Sequence, residues 1–342
     1  MTTHRNRFLI GLALLFLLAC QAPALATPTL LPPPTATETA TASQSPVPTG
    51  TATGAPTATE TATLIPTPLP PARRVLILSI DGLRPDAIAL APMPNLEALM
   101  AGAAFTLNAQ TIRPSATLPS HASMLTGLCP SKHGVDWNDY KPELGFALGT
   151  DLFDLAHAAG MQTVMYVGKE KLRQITEPAS TDVFTYINDR DLVIADQLIQ
   201  NFPPDFRLLF VHFPTPDWMG HEYGWLSPEQ LSVIFRADEA LGNILAELNR
   251  RGLREETLII VTADHGGHDT THGSSLPEDM TIPWIASGPG IRPGGLTTQV
   301  HTMDTAATAA FALGLPLPAE WDGVPVYEAF GMPVERQSQA CE

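Results

Sequence analysis

Four separated segments of this chain hold the residue types that bind divalent cations beside a hydroxyl. They are Ile80-Asp81-Gly82, Thr117-Leu118-Pro119-Ser120-His121, Asp217-Trp218-Met219-Gly220-His221 and Asp264-His265-Gly266. Carboxylate oxygens and imidazole nitrogens are the ordinary protein ligands of such cations, and a cation beside a hydroxyl lowers its pKa. Three of the segments follow short apolar runs, as the carboxyl ends of buried parallel strands do. Open α/β sheets bind ligands at such ends. Alone, each segment has a plainer reading. Asp81-Gly82 is a common turn pair. Asp264-His265 could be a helix cap with a solvated imidazole. Asp217 and His221, four apart, could start a surface helix, but their spacing also lets both side chains face one point from a loop or a single helical turn. Thr117 or Ser115 could simply cap a helix. His265, His268 and His272 fall within eight residues broken by glycine, which is unusual for a loop without a task.

The elements that must hold these residues alternate between strand and helix. Apolar runs predict strands at 75–80, 163–167, 208–213, 257–262 and 282–286. Helical patterns lie at 95–103, from about 117 to 127 with the Thr117 motif in its first turn, and at 151–159, 191–200 and 304–313. A long helix is predicted to open at Ser227-Pro228-Glu229-Gln230, with Ser as N-cap, Pro next and Gln three on, and to run to 251. The alternation implies an α/β three-layer sandwich around a central, mostly parallel sheet.

The formal net charge is −16, and the first 72 residues contribute none of it, with Glu38 and Glu60 against Arg5 and Arg7. A nucleic acid duplex is therefore not an expected partner. A small anionic substrate remains compatible where bound metals reverse the local charge. Residues 1–20 read as an export signal: Arg5 and Arg7, an apolar stretch over 8–18, then Leu17-Leu18-Ala19-Cys20, which resembles a lipobox with Cys20 as the lipidated residue. An ordinary signal peptide or an uncleaved anchor are the alternatives. Each implies an exported protein, held at the membrane through Cys20 or the N-terminal anchor. Residues 21–72 are rich in Thr, Pro and Ala, without Lys or Arg, and read as a disordered spacer. The folded domain is expected over 73–330, with a tail at 331–342. Cys129 and Cys341 either pair, which an oxidising compartment permits, or stay free. Nothing in the chain indicates an oligomeric state.

Together the motifs resemble the alkaline phosphatase superfamily, most closely its nucleotide pyrophosphatase/phosphodiesterase branch. The resemblance rests on Ser79-Ile80-Asp81-Gly82-Leu83-Arg84, on Thr117 to His121 with Thr126-Gly127-Leu128-Cys129-Pro130 and His133-Gly134, on Pro216-Asp217 with Gly220-His221-Glu222-Tyr223-Gly224, and on Asp264-His265-Gly266. It implies an alkaline-phosphatase-like fold and hydrolysis of phosphate esters, diesters or pyrophosphates above all, through a phospho-threonine on Thr117. It implies two divalent metals, zinc foremost. Asp81, Thr117, Asp264 and His265 would hold one, and Asp217, His221 and a further histidine the other. His272 is chosen for the last place because His272-Gly273, Glu278 and Thr281-Ile282-Pro283 follow the pattern of compact relatives; His268 and then His301 come next. Asn138 falls at the family's phosphate-binding position, and Tyr223 near its substrate. Ser120 departs from the Asn usual in the diesterase branch. Basic residues at Lys169, Lys171 and Arg173 would favour a phosphate monoester if they reached the site, and a solvated helix face is the expected alternative. Rival readings are a phosphomonoesterase, a sulfatase, which the lack of Cys at 117 disfavours, a phosphomutase, and a non-catalytic surface lipoprotein.

Overall fold

The computed structural model describes residues 71–341, so the export signal, Cys20 and residues 21–70 of the spacer lie outside the described residues. In chain order the elements begin β1 (Arg74–Ile80), α1 (Pro85–Leu90), α2 (Pro94–Met100), β2 (Ala104–Gln110), α3 (Thr117–Thr126) and α4 (Pro130–His133). They continue α5 (Leu152–Ala158), β3 (Gln162–Val167), β4 (Val183–Tyr186), α6 (Asp191–Gln200), β5 (Phe206–Phe213) and α7 (Thr215–Tyr223). The last are α8 (Pro228–Arg250), β6 (Thr257–Thr262), α9 (Pro277–Met280), β7 (Thr281–Ser287), β8 (Gly294–Gly295) and α10 (Asp304–Leu313).

One sheet of eight strands runs β4-β3-β5-β1-β6-β7-β2-β8. Its middle is parallel, and β1, β5 and β6 are near-continuous apolar runs buried on both faces. That is the pattern of parallel strands covered by helices on each side. The helices pack in two groups, α2, α6 and α7 around α8, and α3 and α5 around α10, so one group covers each face. The register decides where the site lies. Ser79 of β1 pairs with His212 of β5 and with Thr262 of β6. Asp81 and Asp264 each stand two residues beyond that row, so their carboxylates emerge level at one rim.

Two helices start on side-chain caps. The Ser227 side chain accepts from the Gln230 amide, and α8 runs to Arg250. Asp151 and Asp154 form a reciprocal capping box on α5. Every residue of α3 is buried, so the helix that starts at Thr117 has no solvent face.

Short elements such as α1, α4, β4, α9 and β8 were not expected, and three further departures bear on the sheet and the site. β7 runs antiparallel to both neighbours, which apolar content cannot reveal. β2 went unrecognised because its half-exposed pattern lacks alternation and its register shifts between Thr106 and Ala109. Asp217 and His221 lie on a nine-residue helix, longer than the single turn their spacing required.

The chain edges are firmer than composition suggests. Ala72 is buried and donates its N–H to Ala312 O. At the other end, Cys341 is bonded to Cys129, with Cα atoms 5.5 Å apart. The tail is further pinned where Ser338 Oγ lies 2.8 Å from both Asp304 Oδ2 and His301 Nδ1. A link across 212 residues restricts the unfolded chain strongly. Cys341→Ser is expected to remove about 2–4 kcal/mol, read as a Tm lower by roughly 5–15 °C for a domain of this size. An unchanged Tm in the oxidised protein would show that the link holds nothing.

Candidate active site

Asp81, Asp217 and Asp264 converge at the rim where β1, β5 and β6 end, and all three are buried. Gly82 makes the convergence possible. It turns the chain at φ +72°, and a Cβ there would lie 3.3 Å from Asp217 Cα. Its N–H donates to Asp264 Oδ1 at 3.2 Å. Each carboxylate nevertheless leaves one buried oxygen without a hydrogen-bond partner: Asp81 Oδ1, Asp217 Oδ1 and Asp264 Oδ2. A buried, unpaired anionic oxygen is costly, so such atoms call for a cation.

The histidines complete the argument. His265 Nδ1 lies 2.8 Å from Gly266 O, His272 Nδ1 2.8 Å from Ser115 O and His221 Nδ1 2.9 Å from Thr270 O. A carbonyl only accepts, so each Nδ1 carries the proton and each Nε2 presents a lone pair. Those lone pairs face the orphaned oxygens. His265 Nε2 is 3.4 Å from Asp81 Oδ1 and 3.3 Å from Asp264 Oδ2. His221 and His272 Nε2 are 3.4 and 3.5 Å from Asp217 Oδ1. Acceptors facing acceptors need a positive ion between them. A ring fixed by Nδ1–H on a carbonyl is also the usual arrangement of a metal-bound histidine. Two sets of atoms are close enough to share an ion: Asp217, His221 and His272, and Asp81, Asp217 and His265.

The other histidines around the site are already hydrogen-bonded, although two of them border its carboxylates, His121 Nδ1 lying 3.4 Å from Asp264 Oδ2. His121 bonds Thr117 O and Ser79 Oγ through its two nitrogens. His212 accepts from the Gly168 amide at Nδ1 and therefore donates from Nε2 to Asp81 Oδ2, at 2.9 Å. His268 pairs with Asp279, and His301 with Ser338. Of the three candidates for the last position, only His272 faces Asp217.

Thr117 opens α3, fully buried, with Oγ1 3.5 Å from His265 Nε2 and 3.3 Å from Lys169 Nζ. Asn138 Oδ1 accepts from the Leu118 amide and from Lys171 Nζ, both at 2.9 Å. The Leu118 amide is thus not left free beside Thr117. The same two bonds orient Asn138 so that its amide N–H groups are the end left to donate. Tyr223 stands half-exposed at the end of α7, outside the buried cluster. Ser120 accepts from Thr111 Oγ1 at 3.2 Å behind the site.

The solvated-face reading of Lys169 and Lys171 does not hold. Lys169 Nζ lies 2.6 Å from Asp81 Oδ2 and 2.5 Å from Asp217 Oδ2. It reaches them because Gly168 lets the end of β3 pass over Pro214, where a Cβ would come within 2.2 Å of the proline ring. β3 lies beside β5, so the strand-end rule that found Asp81 would also have found Lys169. Arg173 does sit apart, over the Phe184 ring at 4.1 Å.

The charges are strongly coupled. Burial raises Asp81, but Lys169 and His212 outweigh it and hold the carboxyl well below its usual range. Burial and the neighbouring Asp81 push Asp264 well up. Burial and His272 lower His265 to about 3, so its imidazole is neutral and its Nε2 lone pair available. Burial and Lys169 lower Lys171 to about 8.

Comparison with known proteins gives a consistent picture. The family described as type I phosphodiesterase / nucleotide pyrophosphatase matches residues 75–152 and 158–289. The human GPI ethanolamine phosphate transferase 2 catalytic subunit is 30% identical over 298 residues, 79% of this chain and 29% of its own length. The chain spans about half or less of the curated relatives it matches. Murine ectonucleotide pyrophosphatase/phosphodiesterase 5, in an inactive threonine-to-alanine form with AMP, superposes at TM-score 0.63 and 18% identity, over 75% of this chain and 98% of that one. Alkaline phosphatase PafA superposes at TM-score 0.64 and 14% identity, over 78% and 100%. At these identities the two structures show a shared alkaline-phosphatase-like fold.

A cation that joins the orphaned oxygens must stabilise the fold. Zinc at about a hundredfold its Kd adds about 2.7 kcal/mol, so the Tm of metal-stripped protein is expected to rise by roughly 5–10 °C. Asp217→Asn is expected to lose at least half of that rise. A melting curve indifferent to zinc and to chelator would sink the metal reading of this cluster.

Proposed function

We propose, for a chain that belongs to the type I phosphodiesterase / nucleotide pyrophosphatase family, hydrolysis of phosphodiester or pyrophosphate bonds at a two-metal centre through a covalent intermediate on Thr117. Membership supports a metal-dependent phosphoester hydrolase. The single observation that carries the finer reading is the set of three imidazole lone pairs aimed at orphaned carboxylate oxygens beside a buried hydroxyl. The mixed nitrogen and oxygen donors favour zinc.

Two zinc ions would lower the pKa of the Thr117 hydroxyl, polarise the phosphoryl oxygens and activate the water of the second step. Asp81, Thr117, Asp264 and His265 would hold one, and Asp217, His221 and His272 the other. Thr117 Oγ attacks phosphorus in line, and the bond to the leaving oxygen breaks. The leaving group takes its proton from solvent. Water then cleaves the phospho-threonine and restores the hydroxyl. Asn138 donates its amide N–H to an equatorial oxygen, where charge accumulates. Burial of α3 restricts the orientation of Thr117, which favours in-line attack. A murine protein of the same fold is inactive in a threonine-to-alanine form, in keeping with a threonine nucleophile. Tyr223, exposed at the end of α7, is assigned to the leaving group rather than the phosphorus.

A phosphomonoesterase is the second reading, and one observation favours it. Lys171 reaches Asn138, and Lys169 lies 3.3 Å from the Thr117 hydroxyl. Two ammonium groups there suit a terminal phosphoryl group with two charges better than a diester with one.

We further propose that the enzyme is exported and tethered through Cys20. The Cys129–Cys341 bond supports an oxidising compartment.

The test is paired kinetics of the zinc-loaded protein on bis-p-nitrophenyl phosphate and p-nitrophenyl phosphate. Thr117→Ala is expected to lose at least about a thousandfold in kcat on both. A diester preference supports the first reading. A monoester preference that Lys171→Ala reduces by about 10–100-fold supports the second. Thr117→Ala with undiminished turnover would end the covalent mechanism.

A further inference from the structure

Trp225 was not among the residues the sequence singled out, yet it touches every segment that brings a ligand to the second metal position. It is almost wholly buried, just beyond the end of α7. Its Nε1–H donates to Gly82 O at 2.9 Å, next to Asp81. Its own N–H donates to Asp269 O at 2.7 Å, in the loop between His265 and His272. Three glycines make room for the indole. A Cβ at Gly82, Gly220 or Gly267 would lie 3.2, 2.9 or 2.1 Å from it. These come from the turn after β1, from α7 and from the loop after β6. The His221 ring leans edge-on against the indole at 5.2 Å and 86°, and the His272 ring at 5.9 Å and 72°. His272 is otherwise held by its Nδ1–H bond and its stack on the His265 ring, but His221 chiefly by one Nδ1–H bond, which leaves rotation about that bond open. The indole removes it.

We propose that Trp225 is the positioning residue of the Asp217–His221–His272 metal position, setting both imidazole planes and the distance of their loop from Asp81. This rests on the two-metal reading above. The residue acts through other side chains and touches no reacting atom. It differs from ordinary core packing in that its edge contacts are the ligand rings themselves. His265, by contrast, meets His272 face to face at 3.8 Å and is held by its own neighbour Gly266. The first metal position therefore meets Trp225 indirectly, through the Gly82 carbonyl and the His272 ring that stacks on His265.

The deciding experiment is a zinc titration of metal-stripped full-length protein, wild type against Trp225→Phe, with Trp284→Phe as reference. Trp284 is also buried and donates Nε1–H, to Thr305 Oγ1, but sits in the sheet core. Supporting groups around a metal ligand typically tune affinity by about 10–100-fold. Trp225→Phe is expected to weaken one of two zinc equivalents by that factor and the other by much less. Trp284→Phe is expected to lower Tm while leaving both constants within about twofold, a marker of ordinary packing loss. Trp225→Phe with both constants unchanged overturns the proposal, even if its Tm falls. Wild-type protein that takes up no zinc, manganese or iron overturns the two-metal reading and this inference with it. Should Trp225→Phe fail to fold, Trp225→Tyr carries the same comparison, and equal zinc constants there overturn the proposal equally.

Discussion

Three buried carboxylates whose free oxygens face three imidazole lone pairs form the constraint on which the rest of this structure depends. Cations between those atoms satisfy that geometry directly. A buried charge without a partner costs several kcal/mol, and here three strand-end segments place such charges within a few ångströms of one another. The fold concedes this locally because cations reverse the balance. Asp81, Asp217 and Asp264 bring three negative charges, and Lys169 returns one. Two divalent cations would leave the site positive although the chain carries a net charge of −16. A local excess of that sign attracts an anionic phosphate into an otherwise acidic protein.

The surrounding architecture serves to keep those atoms from relaxing apart. β1, β5 and β6 are locked in level register, so Asp81 and Asp264 cannot slide relative to each other. α3 is buried along its whole length, which denies Thr117 any freedom to follow solvent. Each ligand histidine is fixed at Nδ1 by a backbone carbonyl, a partner that does not titrate. Rigid elements place a site more precisely than loops, and here the loop from His265 to His272 is clamped through Asp269 O and Gly267 against one tryptophan.

Much of this was legible in the residues. The apolar runs before Asp81 and Asp264 identified strand ends, because a parallel strand buried on both faces has little choice of composition. Ser227 and Gln230 marked the start of α8 because capping is a short-range bond between neighbours. Other features were not legible. β2 is half exposed and bulged, so its pattern carries no period. The direction of β7 depends on how the chain returns, and Thr281 to Ser287 reads the same either way. Lys169 looked like one charge of a solvated face, and Trp225 like one more aromatic after a glycine.

By itself the sequence determined which residue types stand at the ends of which strands, and so the α/β class and the chemistry to look for. Tertiary structure decided which histidine completes the set, which lysine enters it and which nitrogen of each imidazole is free. The physical reason is the range of the bonds involved. Caps and strand patterns act over a few residues. His221 is oriented by a carbonyl 49 positions away and His272 by one 157 away. Gly82 meets Trp225 across 143 residues, and Lys169 meets Asp217 across 48. Local periodicity reports how deeply a residue is buried and carries no information about which distant carbonyl or indole will be beside it.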